Sequence, residues 1–145
     1  MAVKPIPDGY HSVTPMFVVE GAGRLIDFLN QAFGAAERLR MPMPDGSVAH
    51  AELTLGDSVV MVADATPEWP AQGCSVHLYV QDVDATYNRA LQAGATSTME
   101  PEDRFYGDRA AAVRDPFGNS WSLATHIEDV PEDEMMRRMA ALGQT

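Results

Sequence analysis

His50 and Glu52 stand two residues apart in Ser47-Val48-Ala49-His50-Ala51-Glu52-Leu53-Thr54-Leu55. A period of two puts His50, Glu52 and Thr54 on one face of a strand, because Leu53 and Leu55 take the other. An imidazole beside a carboxylate can act as an acid–base pair. With a third ligand it can hold a divalent ion. It can also simply line a solvated concavity, with Glu52 paired to an arginine. The residues alone leave these three readings open, and with them whether the protein is an enzyme. His77 is the natural third ligand. Val76, Leu78 and Val80 take one side of its strand, so His77 and Tyr79 share the other. Arg38 and Arg40 are expected on the same inward side as His50 and Glu52. Phe17, Tyr79, Phe105 and Tyr106 are of the type that lines a pocket for a flat or apolar ligand. Trp69 either closes over that pocket or caps the core. Phe28 and Trp121 read as core, and His11 and His126 as surface or capping residues near strand ends.

The elements that must position these side chains follow from pattern. Residues 4–9 are Pro-rich and read as an extended arm. Strands are expected over 12–20, 36–43, 47–55 and 58–63. A helix over 21–33 carries the apolar stripe Leu25, Phe28, Leu29, Ala32 and ends at Gly34. After a linker over 64–73 the pattern restarts. Strands are expected over 74–81, 95–99, 110–114 and 120–125, with a helix over 82–93 opened by Asp82 or Asp84 and closed at Gly94. Asp115-Pro116-Phe117-Gly118-Asn119 reads as a reverse turn between the last two strands.

The restart is an internal repeat at an offset of 62. Pro15 falls on His77, Phe17 on Tyr79, Val60 on Ser122, and Gly56-Asp57-Ser58 on Gly118-Asn119-Ser120. The expected fold is α+β: two tandem βαβββ modules over about 11–63 and 74–126. A third helix over 131–142 carries a stripe of Met135, Met136, Met139 and Leu142, read as docking on the domain or on a second subunit.

Composition narrows the function. The 145 residues form one domain by size, spanning 1–145, and 46% hydrophobic with 21% charged residues is ordinary globular composition. A formal charge of −11 without a basic patch argues against nucleic acid. It favours a cationic ligand or only maintains solubility. No apolar run is long enough for a membrane span. A lone Cys74 and an N-terminus without an apolar leader suit the cytoplasm, with Cys74 a buried, inert thiol.

Arg104-Phe105-Tyr106-Gly107-Asp108-Arg109 followed by Ala110 to Leu123 resembles the last hairpin of the vicinal oxygen chelate superfamily, which includes glyoxalase I, bleomycin-resistance proteins and extradiol dioxygenases. Val13-Thr14-Pro15, Ile26-Asp27-Phe28 and Ala32-Phe33-Gly34-Ala35 resemble its PhnB-like branch. The resemblance implies a cupped, mostly antiparallel eight-stranded sheet with helices outside. It also implies a metal held by four residues from the first and fourth strands of each module. The repeat puts Pro15, Val60, His77 and Ser122 at those places, with Met61 the alternative to Val60. Only His77 is a normal ligand, so no metal or other cofactor is expected. A divalent ion at His50, Glu52 and His77, serving a lyase, isomerase or dioxygenase, is the alternative. The resemblance thus implies a homodimer that binds a small organic molecule, drug-sequestering in the manner of the bleomycin-resistance branch. The cup would be lined by Arg38, His50, Glu52, His77 and Tyr79 and rimmed by Trp69, Phe105 and Tyr106.

Overall fold

The structure is a computed structural model that describes residues 2–143. The ends of the single-domain reading, 1 and 144–145, lie outside them. The first module comprises β1 (Met16–Val19), α1 (Ala22–Phe33), β2 (Ala36–Pro42), β3 (Val48–Leu55) and β4 (Ser58–Asp64). The second comprises β5 (Ser75–Tyr79), α2 (Val83–Gln92), β6 (Thr96–Asp103), β7 (Asp108–Arg114) and β8 (Ser120–His126). Helix α3 (Glu132–Leu142) follows. Two βαβββ modules and a C-terminal helix are therefore present. Their strands form two four-stranded mixed sheets, ordered β1-β4-β3-β2 and β5-β8-β7-β6. The outer pair of each, β1–β4 and β5–β8, is parallel and the rest antiparallel.

Alternation buries one face of each sheet. Phe17 and Val19 on β1, Leu53 and Leu55 on β3, and Trp121 and Leu123 on β8 enter one continuous core with Leu25, Phe28 and Leu29 of α1. Phe17 stacks on Trp121 with ring centroids 5.4 Å apart, and Phe33 meets the same indole at 4.8 Å. Such pairs add about 0.5–1.5 kcal/mol beyond their buried area. Phe17 is thus core, not a pocket residue.

By register the parallel pairs β1–β4 and β5–β8 correspond at an offset of 61, not 62, and β2–β3 corresponds to β6–β7 at 60. β1 pairs Met16 with Met61, and β5 pairs His77 with Ser122. Met16 is therefore the counterpart of His77, and Met61 that of Ser122. The turn glycines, Gly56 and Gly118, stand 62 apart because their turns differ in length: Gly56-Asp57 joins β3 to β4, whereas residues 115–119 join β7 to β8. Since one residue flips a strand's faces, matching the turns mispaired Phe17 with Tyr79 and Pro15 with His77.

Local hydrogen bonds hold the helices in place. The N-terminus of α1 has no cap from Gly21. Instead Asp64, at the end of β4, accepts from Gly21 N (3.0 Å), Ala22 N (2.8 Å) and Val48 N (2.7 Å). Burial pushes the Asp64 pKa up, but the three N–H groups outweigh it and leave it lowered. Asp82 caps α2 through Ala85 N. The counterpart of Asp64 is Thr125, whose hydroxyl accepts from Val83 N (2.9 Å) and donates to Val80 O (2.9 Å). Helix α3 has no buried residue, and Met136, Met139 and Leu142 are exposed. Met135 of its apolar stripe is half-buried, while Met136 and Met139 stand exposed. Arg138 ties the helix down, donating to Phe105 O and Glu128. Among the described residues no helix is long and apolar enough to cross a membrane.

Candidate functional site

The face of the first sheet opposite α1 carries the acid. Register sets Leu39, Glu52, Met61 and Met16 side by side across β2, β3, β4 and β1. Glu52 thus interrupts a row of apolar side chains, and its side chain is only 19% exposed. His50 Nε2 lies 3.1 Å from Glu52 Oε2. A bulge between Glu37 and Leu39 leaves Arg38 without a partner on β3. Its guanidinium lies 5.5 Å from the centre of the Tyr10 ring. Arg40 pairs across the strand with buried Ala51 and salt-bridges Glu37 at 2.6 Å. It faces away from Glu52, so the two arginines do not share a side.

The N-terminal arm folds over this face. Between arm and sheet lies a cavity of about 480 Å³, lined by Ile6, Tyr10 and His11 on one side and Arg38, Glu52 and Met61 on the other. The Tyr10 hydroxyl is buried beside Glu52 without a partner at hydrogen-bonding geometry. Burial, then the neighbouring carboxylate, push its pKa up to about 12. The nearby Tyr10 hydroxyl first, then His50, hold Glu52 below the usual carboxylate value against the effect of burial. Glu52 is therefore an anion at neutral pH. Nothing in the sequence marked Tyr10, because an aromatic in a Pro-rich arm has no periodicity to assign its direction.

The open face of the second sheet is organised differently. His77 Nδ1 lies 2.8 Å from Ser122 Oγ, and His77 meets Tyr79 edge to face at 4.9 Å. The Tyr79 hydroxyl donates to Asp108 Oδ2 (2.8 Å), a buried carboxylate that also contacts His126 Nδ1 (2.8 Å). His126 Nε2 reaches Asp129 at 2.7 Å. Asp108, and Asp129 behind it, raise the His126 pKa. His126 is thus an ion-paired link in a network and not a plain surface residue.

These two sets do not converge. Among the described residues no three His, Cys, Asp or Glu side chains group closely enough to hold a metal, so His50, Glu52 and His77 are not one ligand set. Trp69 is 71% exposed and stands beside Met16 and Val18. Phe105 and Tyr106 pack edge to face at 5.2 Å on the loop that Arg138 ties to α3. Neither the tryptophan nor that pair lines the Glu52 cavity.

A family model matches residues 11–123, that of the glyoxalase/bleomycin resistance protein/dioxygenase superfamily. The chain belongs to this superfamily. An uncharacterized protein of Mycobacterium bovis, Mb0911c, is 38% identical over 143 residues, covering 91% of this chain and 94% of that one. Among solved structures, TioX from Micromonospora sp. ML1 is 27% identical with a TM-score of 0.64, over 80% of this chain and 100% of that one. FosX, a fosfomycin resistance protein from Listeria monocytogenes solved with Mn(II) and sulfate, shares the fold at 14% identity and a TM-score of 0.61, over 89% of this chain and 97% of that one. The glyoxalase-type metal position falls here on Met16, Met61, His77 and Ser122 by register. Two thioethers, a hydroxyl and one imidazole already engaged by that hydroxyl are a poor donor set for a hard or borderline divalent ion. The residues present do not fit the metal of the superfamily.

Proposed function

We propose that this protein binds a small organic molecule bearing a cationic group against Glu52, without a metal ion. The observation that carries the reading is the ionised, largely buried Glu52 set in an apolar row at the wall of a cavity of about 480 Å³. A desolvated carboxylate favours a cation, and Ile6, Tyr10 and Met61 supply apolar area around it in the cavity. Sequestration of a drug-like cation suits this arrangement and the bleomycin-resistance members of the superfamily. Likeness of residues 13–35 to the PhnB-like branch supports placing the chain there. The exposed Met136 and Met139 support a homodimer as the working form, and the single Cys74 supports a reducing compartment.

The test is a thermal-shift screen of cationic, neutral and anionic compounds, followed by calorimetry. Glu52→Gln is expected to weaken a cationic ligand by about 1.5–3 kcal/mol and a neutral one less. Metal analysis of protein purified without chelators is expected to show none, and His77→Ala to leave that unchanged. A screen that returns only anions, indifferent to Glu52→Gln, overturns the reading. Acid–base catalysis by His50 and Glu52 is the second reading, favoured by their 3.1 Å contact. The lowered Glu52 pKa makes the carboxylate a weak base and counts against it.

A further inference from the structure

The arm over Glu52 is held by little. Among the described residues, 2–13 make no ion pair to the sheet and no hydrogen bond to it at ordinary geometry; Lys4 pairs with Asp8 and Tyr10 N donates to Pro7 O, both within the arm. What anchors it is the Tyr10 ring beneath the Arg38 guanidinium and the close approach of that guanidinium to Gly9. A Cβ on Gly9 would lie 3.3 Å from the Arg38 nitrogens, and its φ of +84° suits glycine. The Tyr10 side chain thus brings an aromatic face to Arg38 and a hydroxyl donor to the neighbourhood of Glu52. The second role it fills imperfectly: the buried hydroxyl is near enough to Glu52 to lower its pKa, yet has no partner at ordinary hydrogen-bonding geometry.

We infer that Tyr10 is this site's own occupant in the free chain, and that the ligand is an aromatic ring carrying a hydrogen-bond donor which displaces it. The ring replaces the Tyr10 ring against Arg38, and the donor takes the place of the Tyr10 hydroxyl beside Glu52 at better hydrogen-bonding geometry. The inference rests on the reading of Glu52 as a cation-binding anchor and adds the aromatic requirement and the displaced arm. It gives the arm a sign. A side chain that competes with the ligand lowers apparent affinity by the fraction of molecules it closes.

The experiment is calorimetry of tyramine and of butylamine against the full chain, its Tyr10→Ala variant and its Gly9→Ala variant. Thermal melts confirm that each is folded, since both positions lie outside the core. Tyramine is expected to bind the parent chain more tightly than butylamine. Tyr10→Ala is expected to tighten tyramine by about tenfold if the closed arm holds about nine-tenths of the molecules. Gly9→Ala should act in the same direction, because it unseats the arm and leaves the Tyr10 ring chemistry intact. Weaker tyramine binding in Tyr10→Ala would make Tyr10 a wall of the ligand's pocket and overturn the inference while the Glu52 reading stands. Equal affinity for tyramine and butylamine would also overturn it. If neither amine binds the parent chain or Tyr10→Ala, the inference and the Glu52 reading fall together.

Discussion

Across the open face of the first module the neighbours run Leu39, Glu52, Met61, Met16; at the matching places in the second they run Met99, Ala112, Ser122, His77. The first row is apolar with one carboxylate on the third strand. The second has its one ionisable group on the edge strand, and a methyl where the first has the acid. The second module's carboxylate, Asp108, lies at the end of β7 and is engaged by Tyr79 and His126. Duplicated scaffolds of this kind keep the backbone and reassign each row. One half keeps its carboxylate at a cavity wall, while the other engages Asp108 with a phenol and an imidazole.

The hairpins ending the two modules differ in the same sense. In the first, the Ser58 hydroxyl donates to Asp57 on the surface. In the second, the buried Asp115 accepts from Phe117 N, Asn119 N, Asn119 Nδ2 and Trp121 Nε1, while Asn119 Oδ1 accepts from Cys74 N. The largest expected effect is therefore at Asp115. Asp115→Ala should cost about 3–5 kcal/mol in urea unfolding, because it strands the indole N–H and two turn amides. Asp57→Ala should change stability by no more than about 0.5 kcal/mol. Equal effects would mean that the two turns are energetically alike.

The helix anchors come next. Asp64→Ala removes an anion that accepts three backbone N–H bonds, for an expected loss of about 2–4 kcal/mol, against about 1–2 kcal/mol for Thr125→Val. The Asp64 contribution has a definite pH window. Its folded pKa lies below the ordinary 3.8, so the stabilisation is present above that value and lost as pH falls through the folded one. The gap between parent and Asp64→Asn, measured from pH 7 downward, should close in strong acid.

A smaller effect than at either anchor is expected at His126. Its folded pKa lies above the ordinary 6.5, so its contribution is complete below that value and disappears as pH rises through the folded pKa. The groups facing it are Asp108 and Asp129. Parent and His126→Gln should differ in urea midpoint at pH 5.5 and converge in alkali. A difference unchanged by pH would make the residue a packing element only.

Much of the fold is legible because period and punctuation agree. Gly34 closes α1, Asp82 opens α2, and the restart after residue 73 marks the second module. The site is less legible, for two physical reasons. The β7–β8 turn is longer than the β3–β4 turn, so matching their glycines displaces β1 by one residue against β5, which put Phe17 in a pocket when it belongs to the core. The bulge beside Arg38 breaks the alternation that grouped it with Arg40. His50 and Glu52 obey the simple alternation and are correctly read as neighbours. Tyr10 and the Asp108–His126 pair depend on contacts between segments far apart in the chain, which no local pattern encodes.

The stack of Phe17 on Trp121 has a consequence for how the chain folds. Neither half has a complete interior: the first would expose Phe17 and Phe33, and the second a fully buried indole that meets its aromatic partners only in the other half. A chain cut in the linker at 65–73 should yield two fragments that are soft alone and harden on mixing, with Trp121 fluorescence reporting the reunion. For the same reason the intact protein should melt in a single transition, as one cooperative unit assembled from two halves that each lack part of a core.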